Sequence, residues 1–293
     1  METTARAYPR IMKDDKLEQE LSEKGYLVLK NFFSADAVNE LREYHKNNQP
    51  RFFHYDAIIN SVWHTDDVEY KMKTLEKIIS VYTRFCDAYF VDFKIFGGSF
   101  VIKPPHGKGA SHPHIDYGIV DEDNYRSFNL WAPLVELTKT NGALQVLEGS
   151  HRIKQVFRGP NIPDLTIDLR EWFWENQKKF YLKPGDALLY DHRAIHGSKD
   201  NFSEQPRVAV SCAMTNADAQ MMMYFQDAER KKVCAYKMDS AYLLTNNHNQ
   251  LPKDFPVYKE WDYEVRQLRM EDLSTCQETK PMSFINRVKE FFT

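Results

Sequence analysis

The sequence predicts a mainly β protein with flanking helices (α+β), built as a jelly roll or a related sandwich. Three observations carry that expectation. From about residue 92 to about residue 215, short runs rich in aromatic and β-branched residues alternate with Gly, Pro and Asn turn signals. Before that stretch, apolar residues recur at the three- and four-residue steps of helices. Aromatic residues make up 14% of the chain, which suits a packed β core and a lined pocket better than a flexible tail.

Taken in order, residues 14–24 place Leu17 and Leu21 on one helical face, and Gly25 ends that helix. Tyr26-Leu27-Val28-Leu29 reads as a strand. Ser34 is an expected N-cap for a second helix with Val38 and Leu41 inward. A third helix is expected over 67–90, with Met72, Leu75, Ile79, Tyr82, Cys86 and Tyr89 on its apolar face. Phe93 to Lys103 is a strand in which Gly97-Gly98 marks a bulge or a close approach. Pro104 to Gly109 is a loop, 121–124 is an acidic surface loop, and Ser127 to Trp131 is a strand. Asn141-Gly142 signals a turn, and Gly149-Ser150-His151 closes the strand after it. Residues 152–178 read as an irregular insertion with some helix. Lys183-Pro184-Gly185-Asp186 is a turn feeding Ala187 to Tyr190, and Val208 to Met214 is the last core strand. One domain is expected: 1–91 as support, 92–215 as the core, and 216–293 as a C-terminal extension. In that extension Met221-Met222-Met223 forms a run. A terminal helix over 283–292 would gather Phe284, Ile285, Val288, Phe291 and Phe292 on one face, for packing on the body or on a second subunit.

Composition excludes several function classes. The chain has 293 residues, 42% of them hydrophobic, enough for a substantial core. Net charge is −3, and the 39 basic residues are spread without a block, so no nucleic-acid footprint is expected. No apolar run reaches the length of a membrane span, and the first residues lack the apolar centre of a signal peptide. Cys86, Cys212, Cys234 and Cys276 are scattered, as expected for reduced thiols in a cytoplasmic protein. A small-molecule partner is expected, in a monomer or homo-oligomer.

The chemistry concentrates in Ser111-His112-Pro113-His114-Ile115-Asp116-Tyr117. In an extended strand alternate side chains share a face, so His114 and Asp116 would point to the same side, with His112 also inward by period two. A third ligand is available in the stretch from Leu189 to Ser198. Two histidines and a carboxylate on one face of an octahedron leave open positions, as in non-haem Fe(II) oxygenases. Arg207 follows within Pro206-Arg207-Val208-Ala209-Val210-Ser211, where a guanidinium on a neighbouring strand can grip a carboxylate in bidentate fashion.

His114-x-Asp116, then His196, then Arg207, in that order, resembles the Fe(II)/2-oxoglutarate-dependent dioxygenases, and among them the phytanoyl-CoA dioxygenase family. The resemblance extends over roughly residues 15–215. It includes Leu21 to Ser34, Trp131-Ala132-Pro133-Leu134, and Asn141 to His151. It implies the double-stranded β-helix version of the jelly roll, with His114, Asp116 and His196 as metal ligands. Fe(II), 2-oxoglutarate and O2 are the implied cofactors and cosubstrates. Arg207 and Ser198 are implied to contact 2-oxoglutarate. Trp131 packs in the core or lines the pocket, and Asn129, on the same strand face, orients the 1-carboxylate. The implied reaction hydroxylates an unactivated C–H bond of a small-molecule metabolite or natural-product intermediate, releasing succinate and CO2. His106, His151 and His192 are expected to be surface or hydrogen-bonding histidines. Two other classes use the same residues: a Zn-dependent hydrolase with a two-His-one-carboxylate site, and a non-catalytic 2-oxoglutarate- or metal-binding protein of the same fold. The hydrolase has no use for Arg207 at its place in the pattern.

Overall fold

The N-terminal helices begin where the sequence supplies acceptors for their first N–H groups. Asp14 caps α1 (Asp15–Lys24) by accepting from the Lys16 and Leu17 amides. The helix ends at Gly25, whose φ of 80° is a left-handed conformation that glycine adopts without penalty. After β1 (Tyr26–Leu29), Ser34 caps α2 (Ala35–Asn47) through the Ala37 amide. After β2 (Ile59–Asn60), Asp67 caps α3 (Val68–Cys86) through the Tyr70 amide. These assignments come from a computed structural model that describes residues 8–49, 58–154, 156–239, 242, 244 and 255–276.

The strands that follow are β3 (Phe93–Lys103), β4 (Ser111–His114), β5 (Ser127–Pro133) and β6 (Leu144–Val146). A short helix α4 (Arg170–Asn176) precedes β7 (Lys178–Lys179), β8 (Ala187–Asp191), β9 (His196–Ser198) and β10 (Arg207–Asn216). They form two antiparallel sheets, one in the order β1-β8-β5-β10-β3-β2 and one in the order β4-β9-β6-β7. This is a jelly-roll core. The N-terminal segment does more than buttress it, because β1 and β2 are the two edge strands of the larger sheet.

Period-two alternation divides the larger sheet into two faces. Phe100, Ile102, Phe128, Leu130, Val210, Cys212 and Met214 point outward and are buried together with the inner sides of the three N-terminal helices. Tyr82 of α3 reaches through this layer, its hydroxyl 3.1 Å from both the Leu130 and Val210 carbonyls. The inward face of α3 is shifted from the one read in the sequence. Tyr70, Ile78 and Val81 are buried with Leu75, Tyr82 and Cys86, while Met72 is 47% exposed and Ile79 only partly covered. A run with Ile78 and Ile79 adjacent fits two overlapping stripes, and contact with the sheet selects one of them.

Beyond β10 the chain forms β11 (Met222–Gln226), β12 (Lys232–Lys237) and β13 (Val257–Asp262), a separate three-stranded antiparallel sheet. The methionine run is divided by alternation. Met221 and Met223 bury against Phe96 and Ile119, and Met222 faces Tyr224 and Val233 on the other side. The helix expected over 283–292 lies outside the described residues. Among the described residues no helix is long and apolar enough to cross a membrane.

Candidate active site

The two core sheets enclose a cavity of about 430 Å³, within the usual range for small-molecule sites. His114 on β4 and His196 on β9 enter it from the smaller sheet as register partners. Asp116 lies just beyond the end of β4. Its placement rests on two contacts: Arg158 Nε donates to its backbone carbonyl at 2.9 Å, and Asn129 Nδ2 donates to its Oδ2 at 3.0 Å. Asp116 Oδ1 lies 3.5 Å from His114 Nε2 and 3.7 Å from His196 Nε2, and one ligand atom from each of the three residues lies within 4.8 Å of the others.

The rings are set for coordination. His114 Nδ1 donates to the His112 carbonyl at 2.7 Å, and His196 Nδ1 donates to the Ala194 carbonyl at 3.0 Å. Each bond places a proton on Nδ1 and turns Nε2 toward Asp116. Burial pushes the His196 imidazole down to about 4, so it is neutral at physiological pH. Burial alone would raise the Asp116 carboxyl, but the facing imidazoles, His196 first, hold it well below the usual carboxylate range. His114 is shifted the other way: burial would lower it, but the adjacent Asp116 carboxylate raises it. Two imidazoles and an ionised carboxylate make a donor set that fits a divalent metal ion, which would take the place of the proton His114 shares with Asp116.

Arg207 enters the same cavity from the first residue of β10. It is 2% exposed, its guanidinium lies 5.3 Å from the Trp131 ring, and its Nε has no hydrogen-bond partner. Its register partner on β3 is Lys103, fully buried, whose Nζ donates to the carbonyls of Gly109 and Ser198. Burial, with Arg207 adding to it, pulls Lys103 down to about 6, and burial lowers Arg207 to about 9. Lys103 is therefore neutral at physiological pH, and Arg207 is a buried cation with no salt-bridge carboxylate among the described residues. A buried cation without a counter-ion is costly, so this end of the cavity favours an anion.

The remaining sequence expectations divide. Ser198 and Trp131 line the cavity as expected, and Trp131 also packs against Leu144 and Leu188. Asn129 lines it too, but its amide is engaged by Asp116 and, at 2.7 Å, by the Ser211 hydroxyl. It holds the Asp116 carboxylate in position, which sequence alone did not suggest. His112 is exposed, because the pairing of β4 with β9 shifts between Ser111 and His114 and turns Ser111 inward instead. His106 is on the surface, and His151 is buried, with its Nε2 3.0 Å from the Ser22 carbonyl. His192, set aside as a surface or hydrogen-bonding residue, is buried, lies 2.7 Å from the Ser127 hydroxyl and lines the cavity. Sequence reasoning also missed Tyr190, whose ring lies 4.6 Å from that of His196. Alternation along β8, with Ala187 and Leu189 facing the helices, was the available signal for it.

A family model described as phytanoyl-CoA dioxygenase (PhyH) matches residues 21–209. A protein named phytanoyl-CoA dioxygenase from Arabidopsis thaliana is 30% identical over 125 residues, which are 41% of this chain. The chain spans 43% of that relative's length. Dioxygenase trt7 from Aspergillus terreus is 23% identical over 225 residues, 70% of this chain and 74% of its own. Among solved structures, EctD from S. alaskensis with 2-oxoglutarate and 5-hydroxyectoine superposes with a TM-score of 0.50 at 22% identity. That match covers 71% of this chain and 78% of the other, and it is a likeness of fold.

Proposed function

The chain belongs to the phytanoyl-CoA dioxygenase family, and from that premise we propose that it is an Fe(II)- and 2-oxoglutarate-dependent dioxygenase that hydroxylates a C–H bond of a small molecule. The observation that carries this reading is the pairing of a two-histidine, one-carboxylate triad with a buried, unpaired Arg207 in one cavity. His114, Asp116 and His196 would hold the iron. Arg207, seated against Trp131 and backed by Lys103, would take the distal carboxylate of 2-oxoglutarate, with Ser198 beside it. Asn129 keeps the Asp116 carboxylate in its ligating orientation. The chemistry that Fe(II) supplies when bound is oxidative decarboxylation of 2-oxoglutarate with dioxygen, giving succinate, CO2 and an oxygen atom for the substrate.

The protein's own contribution is orientation and exclusion of water. Trp131, Leu144 and Tyr190 wall the site with apolar surface, and the two Nδ1 hydrogen bonds prevent either imidazole from rotating off the metal. A hydrolase using zinc at the same triad would leave the buried Arg207 without a purpose. The test is oxygen consumption and succinate release by purified protein given Fe(II) and 2-oxoglutarate, with and without candidate substrates. Absence of 2-oxoglutarate-dependent oxygen uptake under every condition would sink the reading.

A further inference from the structure

Gly97 and Gly98 are adjacent on β3, and they are glycine for different reasons. A Cβ at 98 would come within 2.9 Å of Ile78 Cγ2 and 3.3 Å of the Ser211 carbonyl oxygen, so the packing of α3 on the sheet requires its absence. A Cβ at 97 would meet only the Ala213 Cβ, at 3.5 Å, which is ordinary contact. Gly97 is also not among the residues at positive φ. Neither the backbone nor the packing calls for glycine at 97, and glycine inside a strand costs stability relative to a residue with a side chain. What its bareness leaves open is the cavity.

The surroundings of Gly97 define what fits there. Its register partner is Ala213, and a bulge in the pairing next to Ala213 adds Phe96 to the cavity wall. Ile119 and Trp63 also line the cavity. Along β10 the Ala213 level lies about 20 Å from Arg207. Among the described lining residues, Arg207 and the metal triad are the groups that carry charge, and the proposed function commits them, Arg207 to cosubstrate and the triad to metal. His64, which also lines the cavity, is pushed by burial toward its neutral form. A charged substrate group seated here would therefore be buried without a counter-ion among the described residues, a penalty of several kcal/mol.

We propose that Gly97 and Ala213 form the floor of the substrate compartment, and that its occupant is an uncharged, predominantly apolar molecule. The inference rests on the proposed function for the division of the cavity, and the experiment separates the two. The full chain, loaded with Zn(II) as a redox-silent metal and with 2-oxoglutarate, is titrated calorimetrically with three probes that share one apolar cage. These are 1-adamantanemethanol, adamantane-1-carboxylate and 1-adamantanemethylamine in its protonated form. The alcohol is expected to bind at least about tenfold more tightly than either ion. Gly97→Leu should weaken the alcohol by about tenfold or more while 2-oxoglutarate affinity stays within about twofold. Ala213→Leu carries the same test if Gly97→Leu does not fold. Either ion binding as tightly as the alcohol, no binding by any probe, or unchanged alcohol affinity in the folded variants overturns the inference. Failure of 2-oxoglutarate to bind, or equal binding to Arg207→Ala, overturns the functional reading instead and leaves the probe comparison standing.

Discussion

The same two paired strands make both ends of the cavity, in opposite character. At one end of the β3–β10 pair Lys103 faces Arg207, two long basic side chains buried side by side. At the other end Gly97 faces Ala213, with almost no side chain at all. The backbone pairing is continuous between them, so the contrast comes from side chains placed on one face at alternate positions. A rigid antiparallel pair can thus present a charge-selective end and a volume-selective end at a fixed separation. On the proposed function, one end takes the cosubstrate and the other the substrate.

The contrast can be broken at the boundary between the ends, with the largest effect. Replacing His114, Asp116 or His196 with Ala is expected to abolish metal-dependent turnover while the melting temperature of the apo-protein stays close to wild type. Near-normal turnover with stoichiometric iron in any one variant would remove that residue from the ligand set. Next in size is the cationic end. Arg207→Ala strips a charge-assisted contact of about 1.5–3 kcal/mol, equivalent to a loss of about ten- to a hundredfold in 2-oxoglutarate affinity. Arg207→Lys should restore only part of it, because an ammonium lacks the planar fork. Calorimetric titration with 2-oxoglutarate reads both.

At the bare end the two neighbouring glycines sharpen the comparison. Gly98→Ala drives a methyl into Ile78 and should destabilise by about 1–3 kcal/mol. Gly97→Ala has room and should be neutral or stabilising by up to about 1 kcal/mol. Equal chemical-denaturation midpoints for the two variants would refute this distinction. The smallest effect is a slope. Lys103 ordinarily titrates near 10.5 and is pulled down to about 6 in the fold. Between those values the unfolded chain binds the extra proton, so the stability of the apo-protein should rise with pH across that window, by at most about 1.4 kcal/mol per unit. Lys103→Met should flatten that dependence. If the variant keeps the wild-type slope, the lysine is not the group responsible.

Much of this was legible in the chain because it is written locally. The cap at Ser34, the stop at Gly25 and the alternation along 208–214 each need only a few neighbouring residues. The triad was readable because its residue types are rare together in that order. What escaped depended on tertiary contact. The pairing shift that turns His112 outward arises from the register of β4 on β9. The capture of Asp116 by Asn129 and Arg158 joins segments that no periodicity links. The face that α3 buries was decided by the sheet beneath it, and the strands β11 to β13 lie in a stretch whose sequence carried no turn signal strong enough to declare them.

The pairing of β4 with β9 has a consequence for how the protein comes into being. His114 and His196 meet only after the chain between them has folded back, and β9 also needs β6 in place beside it. The larger sheet likewise joins β1 to β8, from opposite parts of the chain. Loop closure over such distances must precede the contacts that reward it, which makes assembly slow compared with a helical protein of equal size. The three triad residues therefore come together only in the finished fold, whereas the ligands of a zinc finger lie close in sequence. A nascent chain released before β9 emerges would lack His196, and the triad would stay incomplete until that strand is made.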